Sequence, residues 1–440
     1  MPTKTASLLP LILSLTAVPP VSADGMLDPA WGNGGIVTTN FPEFLVSYDD
    51  VSVVVVLPDG RAVAAGHAGD TKGAVLAAAR YLPSGALDTT FAGDGRVTVP
   101  CQQQTAFGGG GATAALLQPD GRLVLVGSCP MFPDHVFWLA RLNADGSLDP
   151  SFGTGGQVLT PFAGAAFASA AVLQPDGRII AVGSGPAPSV SALKAARYNP
   201  DGSLDPTFGS GGQVTLAFGQ SVYAGSAALQ PDGKLVIGGT YGPQSNYDFG
   251  VVRLLPNGAP DLSFSGDGLV TSDFGAVESG DSVMVLVDGR LVLSGIANVT
   301  QDFALARYLP DGTLDTSFGI GGLATVDGGG PDSAGQAVQL PNGKLLVAGT
   351  TLVPGPGSNR DFLLARFHAD GALDTSFGTA GLLRTDIGHL YEGCYAVAIA
   401  GPDLILAAGF TWPGPPTTED FVLARYIAAT PVELLTFDVH

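Results

Sequence analysis

Four acidic residues occupy one register of a repeated sequence. Asp49, Glu278, Asp332 and Glu392 each stand nine residues before a hairpin proline or its equivalent. In the other cycles that register holds Gly110, Ala166 and Val222. Asp50 and Asp281 lie close by, with Tyr48 and Tyr391 just outside. Carboxylates gathered at one rim, with aromatics beside them, suit a cation, a basic peptide or a sugar. An oxygen-rich set of this kind fits calcium, a hard cation. Crowded carboxylates also repel one another, so some should hold a proton unusually well unless a cation sits among them. The competing expectation is a solvated acidic rim that only keeps the protein soluble.

Other chemistry finds less support. The histidines are His67, His135, His368, His389 and His440, none paired at metal-ligand spacing. GxSxG, HExxH and DxDxDG motifs are absent. Arg80, Arg141, Arg197, Arg253, Arg307, Arg366 and Arg425 form one series, and Asp28, Asp88, Asp149, Asp205, Asp261, Asp315 and Asp374 another. A catalytic site needs a single constellation, so a residue present in every cycle reads as structural. The Asp can cap a turn, and the Arg can donate to carboxylates or carbonyls. The recurrent Gly pairs are turn glycines, because no strand-to-helix context accompanies them.

These residues sit on a cycle. The Asp anchors recur every 54 to 61 residues, each followed three residues later by an aromatic (Trp31, Phe91, Phe152, Phe208, Phe264, Phe318, Phe377). Such a period indicates a solenoid or propeller. Each cycle reads as four short strands, typified by "GGQVLT", "SAAVLQ", "RIIAVG" and "FALARYLPDG". A Pro-Asp-Gly turn joins the middle pair into a hairpin. No helical period intervenes. Each of the first six arginines precedes an anchor Asp by eight residues, whereas Arg425 has no such Asp and Asp28 no such Arg. A ring would bring these two together. The strand typified by "SAAVLQ" carries small residues, so it is expected nearest the axis. The expected fold is all-β: a seven-bladed β-propeller of four-stranded antiparallel blades, residues 24–429. Gly34–Thr39 is expected to close the ring against Phe421–Tyr426.

The stretch "QPDGRLVLVGS…FWLARLNADGSLDPSFGTGGQV" within Gln118–Val158 resembles the delta-60 repeat of secreted bacterial proteins. The resemblance runs from Leu27 to Tyr426. It implies a β-propeller and brings no common activity. Local departures are "VDG" at Val287–Gly289, "PDLSFSGDG" at Pro260–Gly268 and the degraded last turn "GPD" at Gly401–Asp403.

Of 440 residues, 39 are acidic and 19 are Lys or Arg, a net charge of −20. That excludes a polyanion-binding surface, which needs clustered cations, so nucleic acid is not an expected partner. Residues 1–23 read as a signal peptide: Lys4, the apolar run Leu8–Val18, and "VSA" before Asp24. The run is too short for a membrane span. The expected location is therefore extracellular or periplasmic. Residues 430–440 form a tail beyond the last cycle, consistent with release over anchoring. Of three cysteines, Cys101 and Cys129 are the candidate disulfide and Cys394 a free core residue. Sequence thus points to a secreted binding or scaffold module for a protein, glycan or cation. The alternative is a hydrolase or lyase acting on polysaccharide at the same channel mouth.

Overall fold

The computed structural model describes residues 24–43, 48–70, 73–102, 110–187, 189–243, 246–297, 299–354, 359–412, 414 and 419–428. The expected signal peptide and tail lie outside these residues. Among the described residues there is no helix, and none long and apolar enough to cross a membrane.

The sequence cycle maps onto antiparallel sheets. Phe167–Leu173, Ile179–Pro186, Ser191–Tyr198 and Gln213–Leu216 form one sheet of four strands in chain order. Four further sheets repeat that order. A nine-stranded sheet contains the pattern twice, its two halves joined through a single parallel bridge, Arg360 to Tyr391. The turn residues act as their chemistry requires. In "QPDGR", Gly177 takes φ 84° and its N–H bonds to Gln174 O at 2.9 Å. The Asp176 carboxylate accepts the Arg178 N–H at 3.1 Å. A β-carbon at Gly177 would be strained in that left-handed backbone.

The middle strands are buried on both faces, which explains their unbroken apolar runs. Ile179, Ile180, Ala181 and Val182 are all buried. Their side chains fill cores between successive sheets. One core joins Val126 and Leu139 to Ile179 and Ala181 of the next sheet. Another joins Ala396, Leu406 and Phe421 near the C-terminus to Val51, Val54 and Ala64 near the N-terminus.

The small-residue strand is innermost, as expected. It carries a register shift at one equivalent place in each sheet, for example between Ala168 and Ala170, and between Ala224 and Ser226. The shift brings backbone against the neighbouring strand. At Gly183 an added Cβ would lie 1.8 Å from Phe167 O. The freed amides are taken up by the preceding sheet: Ala168 N–H donates to Ser128 Oγ at 2.9 Å and Ala224 N–H to Ser184 Oγ at 2.8 Å.

The first and last described strands meet in one sheet. Ile36–Thr39 pairs antiparallel with Asp420–Ile427, in the register Ile36–Ala424 to Thr39–Phe421, as the Arg and Asp phase predicts. Met26–Leu27 pairs with the same strand. Tyr81 Oη then bonds Thr39 Oγ1 at 2.9 Å, matching the bond of Tyr198 to Thr160 at 2.8 Å within the chain's middle.

Candidate functional site

Acidic side chains in this molecule fall into two populations. The first is the anchor series. Each anchor Asp is buried and faces the Arg eight residues before it, at 2.6–2.9 Å from Nε. Arg425 Nε meets Asp28 at 2.9 Å across 397 residues of sequence. Each guanidinium stacks on the following aromatic, from 4.4 Å for Arg253 over Phe264 to 5.4 Å for Arg425 over Trp31. It also reaches the next sheet, as Arg80 does to Ala144 O and Arg425 to Pro83 O. This is a staple, repeated in every cycle. Burial pushes Asp261 up, but Ser263, Lys234 and Arg253 outweigh it and hold the carboxyl at about 2. The Ser317 hydroxyl, with Arg290 and Arg307, holds Asp315 at about 2 against burial.

The second population sits where one sheet abuts the next, on the face opposite the Pro-Asp-Gly turns. Here the outer strand ends, the Arg-bearing strand begins and the next inner strand begins. Three such junctions bring three acids within 4.8 Å of one another: Asp248, Asp273 and Glu278; Asp302, Asp327 and Asp332; Asp361, Asp386 and Glu392. Backbone pairing fixes them, since Glu278 N–H bonds Tyr247 O at 2.7 Å and Asp332 N–H bonds Gln301 O at 2.8 Å. The exposed member of each trio caps a turn: Asp273, Asp327 and Asp386 accept the N–H two residues on, from Gly275, Gly329 and Gly388.

The inner members are buried and short of donors. Glu278 is 2% exposed and Asp332 4%. Glu278 Oε1 accepts from Ala276 N–H at 2.9 Å, whereas its buried Oε2 has no hydrogen-bond partner. Asp332 Oδ2 accepts from Gly328 N–H at 2.9 Å, and its buried Oδ1 has none. Burial, reinforced by Asp273 and Asp248, pushes Glu278 up to about 7. Burial, with Asp327 and Asp302, pushes Asp332 up to about 6. Burial, with Asp361 and Asp386, pushes Glu392 up to about 7. The third trio is better satisfied. Both Glu392 oxygens accept from Ile387 N–H, and Arg384 pairs with Asp361 at 2.9 Å.

Two concavities open near these residues. A cleft of about 860 Å³ is lined by Tyr223, Tyr247, Val277, Glu278, Val299 and Gln301 among others. Tyr223 and Tyr247 meet edge to face at 5.6 Å. The central channel, about 560 Å³, is lined by inner-strand residues including Thr113, Ser226, Asp281, Gln336 and Tyr395. Its polar groups mostly serve the neighbouring backbone. Val283 N–H donates to Ser226 Oγ at 2.5 Å, and Ala337 N–H to Ser282 Oγ at 3.2 Å.

The sequence-selected residues therefore divide. Glu278, Asp332, Glu392 and Asp49 share one register, yet they lie buried at junctions rather than on an open channel mouth. Glu278 alone of the four lines the cleft, and Asp281 lines the channel, where burial raises it to about 7. Asp49 accepts the Phe41 N–H at 3.2 Å. Asp50 pairs with His67 at 2.9 Å, which raises the imidazole pKa despite the opposing effect of its burial. Tyr48 is exposed, bridging Glu419, and Tyr391 stacks on Trp412 at 5.3 Å. Cys101 and Cys129 form the expected disulfide, with Cα atoms 6.1 Å apart, and Cys394 is free and buried. Missed in the sequence were Asp248, Asp302 and Asp361, each five residues before a series Arg, and Asp273, Asp327 and Asp386. Their signal is joint: at Glu278, Asp332 and Glu392 both companion positions are acidic, whereas at Asp49 they are Asp420 and Asn40. Elsewhere the three positions read Val75, Pro100, Gly110; Val136, Pro161, Ala166; and Ala192, Ala217, Val222.

Comparison with known proteins bears on the fold. A family described as "Domain of unknown function (DUF5122) beta-propeller" matches residues 57–91, 136–152, 174–208, 230–264, 288–318 and 340–377. No curated protein matches this chain by sequence. Among solved structures, the polysaccharide lyase Uly1 is similar at 12% identity and a TM-score of 0.55, covering 86% of this chain and 90% of that one. Sqt1 of Chaetomium thermophilum is similar at 13% identity and 0.48, covering 88% and 97%. YCF48 bound to D1 peptide is similar at 13% and 0.46, covering 93% and 99%. At 12% identity the likeness to Uly1 is one of fold.

Proposed function

Starting from a chain that is a β-propeller of the delta-60 repeat family, we propose that it is an exported seven-bladed ring that binds glycans at the Tyr223–Tyr247 cleft. Residues 24–429 make the ring. The reading of seven blades is supported by the terminal strand pairing, by the Asp28–Arg425 staple and by the core shared between the first and last inner strands. Export is supported by the Cys101–Cys129 disulfide, since such bonds persist in oxidising compartments. Asp24 is the first residue after the expected cleavage point. Its carboxylate bonds the buried Arg366, so a chain starting there keeps a complete fold.

The observation that carries the glycan reading is the cleft. It combines exposed aromatic faces with apolar walls, Val277 and Val299, and a carboxyl at its floor. Sugars present apolar C–H faces to aromatic rings and hydroxyls to carboxylates, and ligand sites are concave with few convergent polar groups. The test is binding of the full chain to a panel of soluble polysaccharides. Tyr223→Ala and Tyr247→Ala should each weaken binding by about tenfold, or ~1.4 kcal/mol. Retention of full affinity in both variants would refute the cleft as the site.

A second reading is favoured by one feature. Asp248 and Glu278 are paired carboxylates, and Glu278 titrates near 7, the arrangement that general acid catalysis of glycoside cleavage uses. The fold likeness to a polysaccharide lyase is compatible with it. Turnover of a bound polymer, abolished in Glu278→Gln, would select this reading over binding alone.

A further inference from the structure

We propose that two of the inter-sheet junctions, Asp248–Asp273–Glu278 and Asp302–Asp327–Asp332, are divalent-cation sites that take a hard ion of the calcium class. Three carboxylates at each junction can each place an oxygen within 4.8 Å of the others. Such a cluster alone would be only a charged patch. What sets these two apart is the buried carboxylate at the back of each. Glu278 is 98% buried with Oε2 unpartnered, and Asp332 is 96% buried with Oδ1 unpartnered. A buried carboxylate oxygen without a donor is costly to keep charged. Beside two further carboxylates it calls for a cation or a proton. The donor set is all oxygen, with no His or Cys, which suits calcium or magnesium over zinc.

The backbone supports the same assignment. The second oxygen of each buried acid is held by a loop N–H, from Ala276 for Glu278 and from Gly328 for Asp332, so the carboxylates are oriented before any ion arrives. The exposed acids, Asp273 and Asp327, each spend one oxygen on a turn and keep the other for the junction. The third trio is excluded by its own contents, because Arg384 already supplies a cation to Asp361 and Glu392 has donors on both oxygens. The junction between the Ala112–Thr160 and Phe167–Leu216 sheets has Val136, Pro161 and Ala166 at the three equivalent positions and is served by a side-chain ammonium, with Asp134 near enough to favour its charge. There Lys194 Nζ donates to Ala163 O at 3.0 Å and lies 5.4 Å from the Phe162 ring.

The ion would join adjacent sheets, tying the start of one inner strand to the sheet before it. The second junction stands apart from the glycan reading, since Asp302, Asp327 and Asp332 do not line the cleft, whereas the first shares Glu278 with it; calcium binding is read without glycan, so either reading can fail alone.

The experiment is calcium titration of the chelator-stripped full chain by calorimetry, with melting temperature read in parallel. About two calcium ions per chain should bind, with dissociation constants of about 0.1–1 mM, the range of extracellular modules, and the melting temperature should rise. Glu278→Gln and Asp332→Asn keep the side-chain shape and remove a buried charge. Each should abolish one site, and the double variant both. Asp273→Asn and Asp327→Asn, at exposed positions, should weaken the corresponding site at least tenfold while the fold persists. Asp281→Asn in the channel should leave both sites intact. The proposal is overturned if no saturable calcium binding occurs, or if it survives unchanged in the double variant.

Discussion

The anchor aspartates and the junction acids are the same residue types in the same repeat, and their surroundings make them opposites. Each anchor Asp meets a guanidinium, a turn hydroxyl or amide, and in most cycles a second cation from the hairpin, such as Arg290 at 3.1 Å from Asp315. At the first two junctions, the buried acids meet loop N–H groups and neighbouring carboxylates. The carboxyl groups are consequently pulled to about 2 at Asp261 and Asp315, and pushed to about 7 and 6 at Glu278 and Asp332. The lesson concerns where repeat proteins vary. The anchors hold every blade and recur without exception. The junctions on the other face can be closed by any chemistry that fits. One uses the Cys101–Cys129 disulfide, one an ammonium over Phe162, and others carboxylates.

The largest effect should come from breaking an anchor. Arg307 is 2% exposed, pairs with Asp315 at 2.9 Å and stacks 4.6 Å from the Phe318 ring. Arg307→Ala leaves a buried carboxylate with one remaining cation, which should destabilise the protein by about 3–5 kcal/mol. Arg425→Ala should cost less, about 1–2 kcal/mol, because Arg425 is more exposed than Arg307. Denaturant unfolding of the two variants checks the ranking. Equal losses would mean that burial does not grade the staples.

Next comes the covalent junction. Cys101 and Cys129 are 28 residues apart in sequence, so the bond constrains a short loop of the unfolded chain. Replacing both by Ser should lower stability by roughly 3 kcal/mol on the loop-entropy account. Reduction of the wild-type protein should reproduce the loss. If the double variant unfolds like the parent, the other contacts of that junction suffice, and the disulfide is not what closes it.

The contrast between the two populations also explains what was legible beforehand. The anchors were plain in sequence because their partners lie eight residues apart on one chain segment, in every cycle. The pairing of Asp28 with Arg425 followed from phase alone. The inner acids Glu278, Asp332 and Glu392 were visible as a register. Their depth was not, since it depends on the next sheet covering them. The partners Asp248 and Asp273 lie 30 and 5 residues from Glu278, Asp248 opening a strand and Asp273 in the loop that leads to Glu278, so the fold rather than one short motif assembles the trio. The cleft was invisible for the same reason. Tyr223 lies on one strand and Tyr247 just before another strand of the same sheet, while Val299 comes from a turn of the next.

A pH experiment separates the populations with a smaller effect. Asp261 and Asp315 have folded values below the ordinary carboxylate value, so their contribution is present above about pH 4 and is lost as pH falls towards 2. Glu392 has the opposite sign. Its folded value is raised from 4.5 to about 7 by burial, so its contribution is full below pH 4.5 and is lost as pH rises through 7. In chelator, wild-type stability should therefore decline between those limits, and Glu392→Gln should flatten that part of the curve while leaving the acid limb unchanged. A decline of equal slope in the variant would remove Glu392 from the account.

The smallest expected effect tests whether charge alone decides which junction takes an ion. Arg384 is half exposed, and its pair with Asp361 at 2.9 Å should contribute only about 0–1 kcal/mol. Arg384→Gln should thus barely alter the melting temperature in chelator. It removes the one cation assigned to the Asp361–Asp386–Glu392 trio, leaving three carboxylates within 4.8 Å. If a missing countercharge is what recruits the ion, calorimetry should then count about three calcium ions per chain in place of two. The two Glu392 oxygens make the result informative either way. They already accept from Ile387 and His389 N–H groups, unlike Glu278 Oε2, which has no donor. A count that stays at two in Arg384→Gln would show that a free buried oxygen, and not net charge, selects the junction. The contrast between anchors and junctions would then rest on hydrogen-bond supply before charge.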